Sequence, residues 1–295
     1  MFVGYAIRDA FPLFYVQMLD EFGRSRAETA LISSISFLVY GFSSAISGAM
    51  LDRLGPRKTF TTGALIMGIG LVGCSQSREL WQIFIFWGVI FSFGVSAVGF
   101  VPCMAIVSKW FTRRRATAVG ITQAGGRESL IMAPVTQSLI LALGWRSTYL
   151  MQAVAAVILI TLLAQFLRRP PEDMGLLDGG ETSHKSETEK VERRVDSYVV
   201  DEKWVATNWT LLRAMKEYRF WVLLCLSFTC STGYGIILAH QVAFMVDVGF
   251  TAMSASFILL IYGIIGSIGR LFGFVSDIVG REITYSIGCA GIIIG

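Results

Sequence analysis

The sequence predicts an all-α membrane protein with about eight complete transmembrane helices and part of a ninth. Its composition is too apolar for a soluble domain of this size, because 54% of its 295 residues are hydrophobic and the mean hydropathy is +0.62. The charged residues gather between apolar runs whose lengths approach the roughly 20 residues that a helix needs to cross a bilayer. A charged phrase between two such runs also occurs twice, which is typical of transporters built from repeated halves.

The apolar runs define eight predicted spans, which are 2–19, 29–51, 59–76, 80–107, 116–143, 147–167, 219–246 and 252–275. A ninth run begins near Ile283 and stops at Gly295, too early to cross a bilayer comfortably. The first span begins at Met1 with no polar residues before it. We therefore expect a truncated C-terminal end, with the start of the first helix as a candidate for a second truncation. Such a chain alone is expected not to transport.

The loops between the spans alternate in charge. Loops 52–58 and 108–115 are rich in arginine and lysine, whereas the intervening loops have few basic residues or balance them with acidic ones. Because basic residues are enriched in cytoplasmic loops, we place these two loops and the N-terminus on the cytoplasmic side of the plasma (cell inner) membrane. No basic segment with a cleavage site precedes the first span, so a removable signal peptide is not expected.

Residues 168–208 interrupt the apolar pattern. Pro170 and Pro171 end the sixth span, since proline cannot continue a helix. The stretch that follows is rich in Gly, Ser, Glu and Lys, cannot bury a core, and is predicted to be a flexible cytoplasmic linker. The sequence thus divides into an N-terminal six-helix half at 1–167, the linker, and the start of a C-terminal half at 209–295, which holds helices 7, 8 and part of 9.

The repeated phrase lies at residues 48–58 and again at 273–281, and its Gly-x3-Asp-x2-Gly pattern recurs at a constant offset of 225. The glycines permit a tight turn and close helix packing, and the carboxylate can cap a helix N-terminus or pair with a basic neighbour. We predict a conformational gate whose contacts form in one state and break in the other. The alternative is a topology signal with ordinary capping. The predicted gate residues are Gly48, Asp52, Arg53, Gly55, Arg57, Lys58, Gly273, Asp277, Gly280 and Arg281.

The first copy of this phrase resembles a signature of the major facilitator superfamily, the turn between helices 2 and 3. It reads Gly48-x3-Asp52-Arg53-x-Gly55-x-Arg57-Lys58 and matches at every fixed position. The second copy matches less completely, because Ile278 stands where a basic residue is usual. The resemblance implies twelve helices in two six-helix halves that rock around a site near the bilayer midplane.

Within the superfamily, the chain is most similar to the monocarboxylate and oxalate/formate transporter group. The resembling phrases are S-K-W-F-T-R-R-R-A-T-A-V-G-I-T-Q-A-G-G (108–126), A-L-G-W-R (142–146), R-R-P-P-E-D-M-G-L (168–176) and H-Q-V-A-F-M-V-D-V-G-F (240–250). The resemblance covers essentially the whole chain.

Ionisable residues inside apolar spans are costly to insert, so they indicate partners or cavities. The candidates for substrate binding are Arg270 and Arg127, whose guanidinium groups suit a carboxylate. His240 is the third candidate, because histidine titrates near neutral pH and can carry a coupling proton. The resembling group implies an arginine of helix 8 in carboxylate binding, which supports Arg270 and gives no support to Arg127. A lone histidine at a helix end is more often an ordinary hydrogen-bonding residue.

Arg8, Asp9 and Glu128 form a predicted intramembrane charge network. In the alternative to substrate binding, Arg127 pairs with Asp9 and Arg8 pairs with Glu128, and the charges only neutralise one another.

We therefore predict a secondary active transporter that moves a small organic anion, such as a monocarboxylate, by alternating access. Two alternatives stay open: an exporter of drug-like or sugar-derived solutes, and a non-transporting membrane sensor with the same fold. The expected partners are the lipid bilayer, an anionic small-molecule substrate and a coupling proton. Nucleic acid is not expected, because the basic residues lie in short loops.

The motifs of other protein classes are missing or misplaced. The sequence has no P-loop and no catalytic constellation, and its five cysteines lack metal-ligand spacing, so we expect no enzyme activity, cofactor or metal. Gly68-x-Gly70-x-x-Gly73 spells a dinucleotide-binding fingerprint, but it lies within a span and predicts close helix packing instead.

Overall fold

The computed structural model describes residues 1–110, 118–123, 128–167, 211–271 and 286–287, and every regular element among them is a helix. The helices are α1 (Phe2–Asp9), α2 (Phe11–Phe22), α3 (Arg26–Leu54), α4 (Pro56–Gln76), α5 (Leu80–Ile83), the π-helix Phe84–Phe91, α6 (Ser92–Val98), α7 (Phe100–Trp110), the 3-10 helix Glu128–Met132, α8 (Ala133–Leu143), α9 (Trp145–Phe166), α10 (Leu211–Ala214), α11 (Tyr218–Asp247) and α12 (Ala252–Leu271). Residues 118–123 are also helical. The predicted all-α class is confirmed.

Within this described part, four helical stretches are long and apolar enough to cross a membrane: Arg26–Leu54, Pro56–Gln76, Leu80–Ser108 and Trp145–Phe166. Shorter apolar helices occupy the predicted fifth, seventh and eighth spans and extend at most one residue beyond them, at Ser129–Leu143, Tyr218–Thr229, Gly235–Asp247 and Ala252–Gly266. The chain is thus an integral, multi-pass membrane protein, and its helices follow the predicted spans in order.

Helix α3 shows why the observed helices run past the predicted spans. Its N-terminus carries a capping box, in which the Ser25 hydroxyl accepts the Glu28 N–H at 3.2 Å while the Glu28 carboxylate accepts the Ser25 N–H at 3.4 Å. The helix ends at Leu54 and is followed by Gly55, whose positive φ of 78° is easily adopted only by glycine. Charged residues bound the apolar run, but the capping groups set the ends of the helix.

Two predicted spans are interrupted, which the apolar pattern alone does not show. The first span breaks at Ala10, between α1 and α2, because Pro12 has no N–H to continue the helical ladder. The fourth span breaks at Gly99, between α6 and α7, where the backbone is extended. Both breaks lie among residues that are otherwise helical.

Close packing of α4 against its neighbours depends on glycine. A Cβ atom at Gly70 would lie 2.7 Å from the backbone nitrogen of Phe91, and one at Gly68 would lie 2.5 Å from Val157 Cγ2. Real Cβ atoms do not approach so closely, so these positions exclude larger residues. The predicted packing role of the Gly68-x-Gly70-x-x-Gly73 pattern is confirmed.

Gly94→Ala is expected to destabilise the protein by about 1–3 kcal/mol, since the new methyl group overpacks a tight helix crossing. A Cβ at Gly94 would lie 2.4 Å from the backbone nitrogen of Met67, which cannot move aside as a flexible side chain can. The matched control is Gly41→Ala in α3, where nothing lies within 4 Å of the added Cβ. Thermal unfolding of the purified protein in detergent measures both. Equal melting temperatures for the two variants would contradict this packing.

The helices after the predicted linker contact the earlier ones near one end. Helix α11 packs against α2, and α12 packs against α8 and the 3-10 helix. On α11, Leu238, Val242 and Ala243 are buried, whereas every residue from 221 to 229 is exposed. The contact is therefore concentrated towards the Asp247 end of α11.

Candidate functional site

A buried ion pair lies within the first predicted span. The Asp9 carboxylate is only 6% exposed, and both of its oxygens are bound. Arg8 Nε donates to Oδ1 at 3.1 Å, and Ser129 Oγ donates to Oδ2 at 3.1 Å. The pair is neutral overall, and its hydrogen bonds offset part of the cost of burying two charges.

The structure thus pairs Arg8 with its neighbour Asp9, whereas the alternative to substrate binding paired Arg8 with Glu128 and Asp9 with Arg127. Arg127 lies outside the described residues. Glu128 begins the 3-10 helix, directly before Ser129, but its side chain is also outside the description. The membership of Glu128 in the charge network therefore stays a prediction.

Aromatic rings surround the Arg8 guanidinium. Its central carbon lies 4.2 Å from the ring centroid of Tyr5, 5.2 Å from that of Tyr40 and 5.8 Å from that of Phe37. The negative faces of such rings stabilise a cation, most strongly where water is excluded. An arginine in this setting keeps its charge inside the bundle.

The three predicted substrate-binding residues are not brought together within the described part of the chain. Arg270 lies in α12, near its end, but its side chain is outside the description, as is all of Arg127. His240 lies on α11, where it is exposed and its ring meets Tyr15 edge-on at a centroid distance of 6.0 Å. Substrate binding by all three stays a prediction.

The first copy of the repeated phrase forms the turn that the sequence predicts. Helix α3 ends at Leu54 and α4 begins at Pro56, with Gly55 between them. Arg57 Nε donates to the Leu167 carbonyl oxygen at 2.8 Å, which ties the turn to the end of α9. The side chains of Asp52, Arg53, Arg57 and Lys58 are exposed.

The structure describes less of the other predicted gate residues, which are Gly48 and the second copy of the repeated phrase. Gly48 faces α7, where an added Cβ would lie 3.7 Å from Val101 Cγ1. The second copy, with Gly273, Asp277, Gly280 and Arg281, lies outside the described residues. The gating role of both copies stays a prediction.

An ion pair that the sequence did not predict joins α3 to α11. Arg26, the first residue of α3, donates from Nη1 and Nη2 to the two carboxylate oxygens of Asp247, the last residue of α11, at 2.5 and 2.8 Å. Both hydrogen bonds lower the pKa of Asp247, which follows the apolar span 219–246. We call this pair the Arg26–Asp247 latch.

A second polar cluster closes the same side of the helix bundle. The Glu21 carboxylate accepts the Trp145 indole N–H at 2.6 Å and also pairs with Arg146. Arg146 Nη2 donates to the Ser77 carbonyl oxygen at 2.7 Å. The ends of α2, α4 and α9 are thereby held together. In the sequence, Glu21 and Arg146 are recognisable only as loop charges, and no spacing relates them to each other.

Comparison with known proteins gives one family and a consistent set of relatives. The family model of the Major Facilitator Superfamily matches residues 1–295. Monocarboxylate transporter 13 of Rattus norvegicus is 28% identical over 268 residues, which cover 90% of this chain and 56% of that protein. Monocarboxylate transporter 12 of Homo sapiens is 28% identical over 281 residues, which cover 92% of this chain and 54% of that protein. The chain spans about half the length of these curated relatives.

Two solved structures share the fold. A bacterial homologue of the human lysosomal transporter Spinster, in an inward-facing and unoccupied conformation, superposes with a TM-score of 0.67 at 18% identity. The match covers 95% of this chain and 61% of that one. The D-xylose–proton symporter superposes with a TM-score of 0.65 at 14% identity, covering 94% and 67%. These likenesses confirm the predicted fold, and the relatives' names agree with the expectation that the chain is not an enzyme.

Proposed function

Because the chain belongs to the major facilitator superfamily, we propose that it is part or all of a secondary transporter that moves a small organic anion, such as a monocarboxylate, across the plasma membrane. The match of the family model along the whole chain carries the transporter proposal. Two further observations support the anionic substrate. The curated relatives include proteins named monocarboxylate transporters, and the Arg8 side chain lies inside the helix bundle with 19% of its surface exposed.

Alternating access is the proposed mechanism, with rocking of the segments before and after the linker around a central site. The Arg26–Asp247 latch and the packing of α11 on α2 lie at one side of the bundle, whereas residues 221–229 are exposed towards the other. This asymmetry supports a state that is closed on the latch side. With the N-terminus in the cytoplasm, that side faces outward.

The domain division and the predicted site residues belong to this proposal. The N-terminal half is 1–167, the cytoplasmic linker is 168–208 and the C-terminal half begins at 209. Arg270 is the proposed carboxylate ligand from the C-terminal half, with Arg127 as a second candidate. His240 is the proposed carrier of a coupling proton. The turn around Asp52 is the proposed cytoplasmic gate.

Uptake into proteoliposomes tests the proposal. The full-length protein is expected to accumulate radiolabelled lactate, and Arg270→Ala is expected to lower the initial rate by about tenfold or more, since a charged hydrogen bond is lost. Arg24→Ala, in the exposed loop between α2 and α3, is the matched control and should leave the rate unchanged. If a neutral sugar is transported and neither lactate nor oxalate is, the anion proposal is wrong.

A further inference from the structure

We propose that Arg8, Tyr5 and Tyr40 form a subsite that holds the carboxylate group of a small monocarboxylate inside the helix bundle. The proposal rests on the proposed transport function and adds to it a location and a ligand specificity. We call these three residues the Arg8 subsite.

Two interrupted helices meet at this subsite. The first is the break between α1 and α2, which directly follows Arg8 and Asp9. The second is the break at Gly99, after which the N–H of Phe100, the first residue of α7, donates to Tyr5 Oη at 3.0 Å and to Tyr40 Oη at 3.4 Å. Transporters commonly build their substrate sites from discontinuous helices, because interrupted backbone is tolerated in a membrane where it lines a cavity.

Gly99 is required at the second break because Tyr40 lies against it. A Cβ atom at Gly99 would lie 2.8 Å from Tyr40 Oη. A third irregular segment, the 3-10 helix, supplies Ser129 to the Asp9 carboxylate. Three non-standard backbone segments therefore converge around one buried ion pair.

Some hydrogen-bond donors of the Arg8 subsite remain available to bind an anion. The hydroxyl oxygens of Tyr5 and Tyr40 lie 2.8 Å apart, so one hydroxyl proton is used between them. The other hydroxyl proton has no acceptor among the described residues. Arg8 donates to Asp9 through Nε alone, and within the same described part Nη1 and Nη2 make no hydrogen bond. Two guanidinium nitrogens and one phenolic O–H are the donors that a carboxylate needs.

The surroundings favour a ligand with a single negative charge. The rings of Tyr5, Phe37 and Tyr40 offer apolar faces for a short alkyl group. Asp9 is held beside Arg8 by its hydrogen bond from Ser129, so a second carboxylate on the ligand would meet a like charge in a region of low dielectric. The Arg8 subsite should therefore prefer lactate to oxalate, and both to the neutral amide.

Two variants of the full-length protein test the subsite, and neither leaves one charge of the ion pair without its partner. Arg8→Gln/Asp9→Asn removes both charges together, and Arg8→Lys keeps the ion pair but replaces the two-pronged guanidinium with an ammonium. Equilibrium binding of radiolabelled lactate to the purified proteins gives the affinity, with oxalate and lactamide as competitors. Thermal unfolding reports folding separately, and Arg24→Ala is the control.

The expected result is a loss of lactate affinity of about tenfold in Arg8→Lys and of about a hundredfold in the double variant. In the wild-type protein, lactate should bind more tightly than oxalate, and lactamide should not compete. A folded double variant with wild-type lactate affinity would overturn the Arg8 subsite, and continued lactate uptake would then leave the transport proposal intact. A wild-type protein that neither binds nor transports lactate would overturn the transport proposal itself.

Discussion

Asp9→Ala is expected to lower the free energy of unfolding by about 3–5 kcal/mol, because it leaves the Arg8 charge unpaired inside the bundle. The same change removes the acceptor of the Ser129 hydroxyl. The rings around Arg8 stabilise a cation only partly and cannot replace a carboxylate. SDS-induced unfolding in mixed micelles, followed by tryptophan fluorescence, measures the difference.

Asp20→Ala is the matched control for this prediction. Asp20 is an exposed carboxylate in α2, close to the end of the same predicted span, and its loss should change the free energy of unfolding by no more than about 0.5 kcal/mol. Arg8→Gln/Asp9→Asn should cost less than Asp9→Ala, since no buried charge is left unpaired. If Asp9→Ala unfolds at the same SDS fraction as Asp20→Ala, the ion pair does not contribute to stability.

The order of the helices could be predicted because each span is itself an apolar run of about the required length. The ends of α3 at Arg26 and Leu54 lie within about three residues of the predicted span 29–51 for the same reason, since both ends lie next to charged loops. The two helix breaks, at Ala10 and at Gly99, could not be predicted. Pro12 is visible in the sequence, but many membrane helices continue through a proline, and nothing in the pattern around Gly99 distinguishes a break from close packing.

The pairing of Arg8 with Asp9 illustrates a second limit. Adjacent residues on a regular helix do not face each other, so the spacing of Arg8 and Asp9 does not indicate that they pair. Because α1 ends at Asp9, the two side chains lie at a helix terminus, where that rule does not hold. The Arg26–Asp247 latch is a third case, since a pair that joins different helices across most of the chain leaves no periodic signal.

The Arg26–Asp247 latch is expected to control opening of the bundle on its own side of the membrane. Arg26→Glu replaces a two-bond ion pair with two like charges, and because both side chains are exposed this should shift the population towards the open state by only about threefold to fivefold. A cysteine at Val242, which is buried on α11 in the closed state, reports the opening. A membrane-impermeant maleimide, added from the latch side to a protein without its native cysteines, should label Val242→Cys about threefold to fivefold faster in the Arg26→Glu variant.

Exchange of the two charges separates the latch from a general disturbance of the fold. Arg26→Asp/Asp247→Arg restores an attractive pair and should return the labelling rate towards that of the parent protein. The pKa of Asp247 is lowered, so its contribution to the closed state is present above the ordinary aspartate range and is lost only as the pH falls through the lowered pKa. Between about pH 5 and pH 8, the protonation of Asp247 should therefore not alter the labelling rate of the parent protein. A charge-exchange variant that labels as fast as Arg26→Glu would show that the ion pair does not hold the closed state, and that packing of α11 on α2 alone does so.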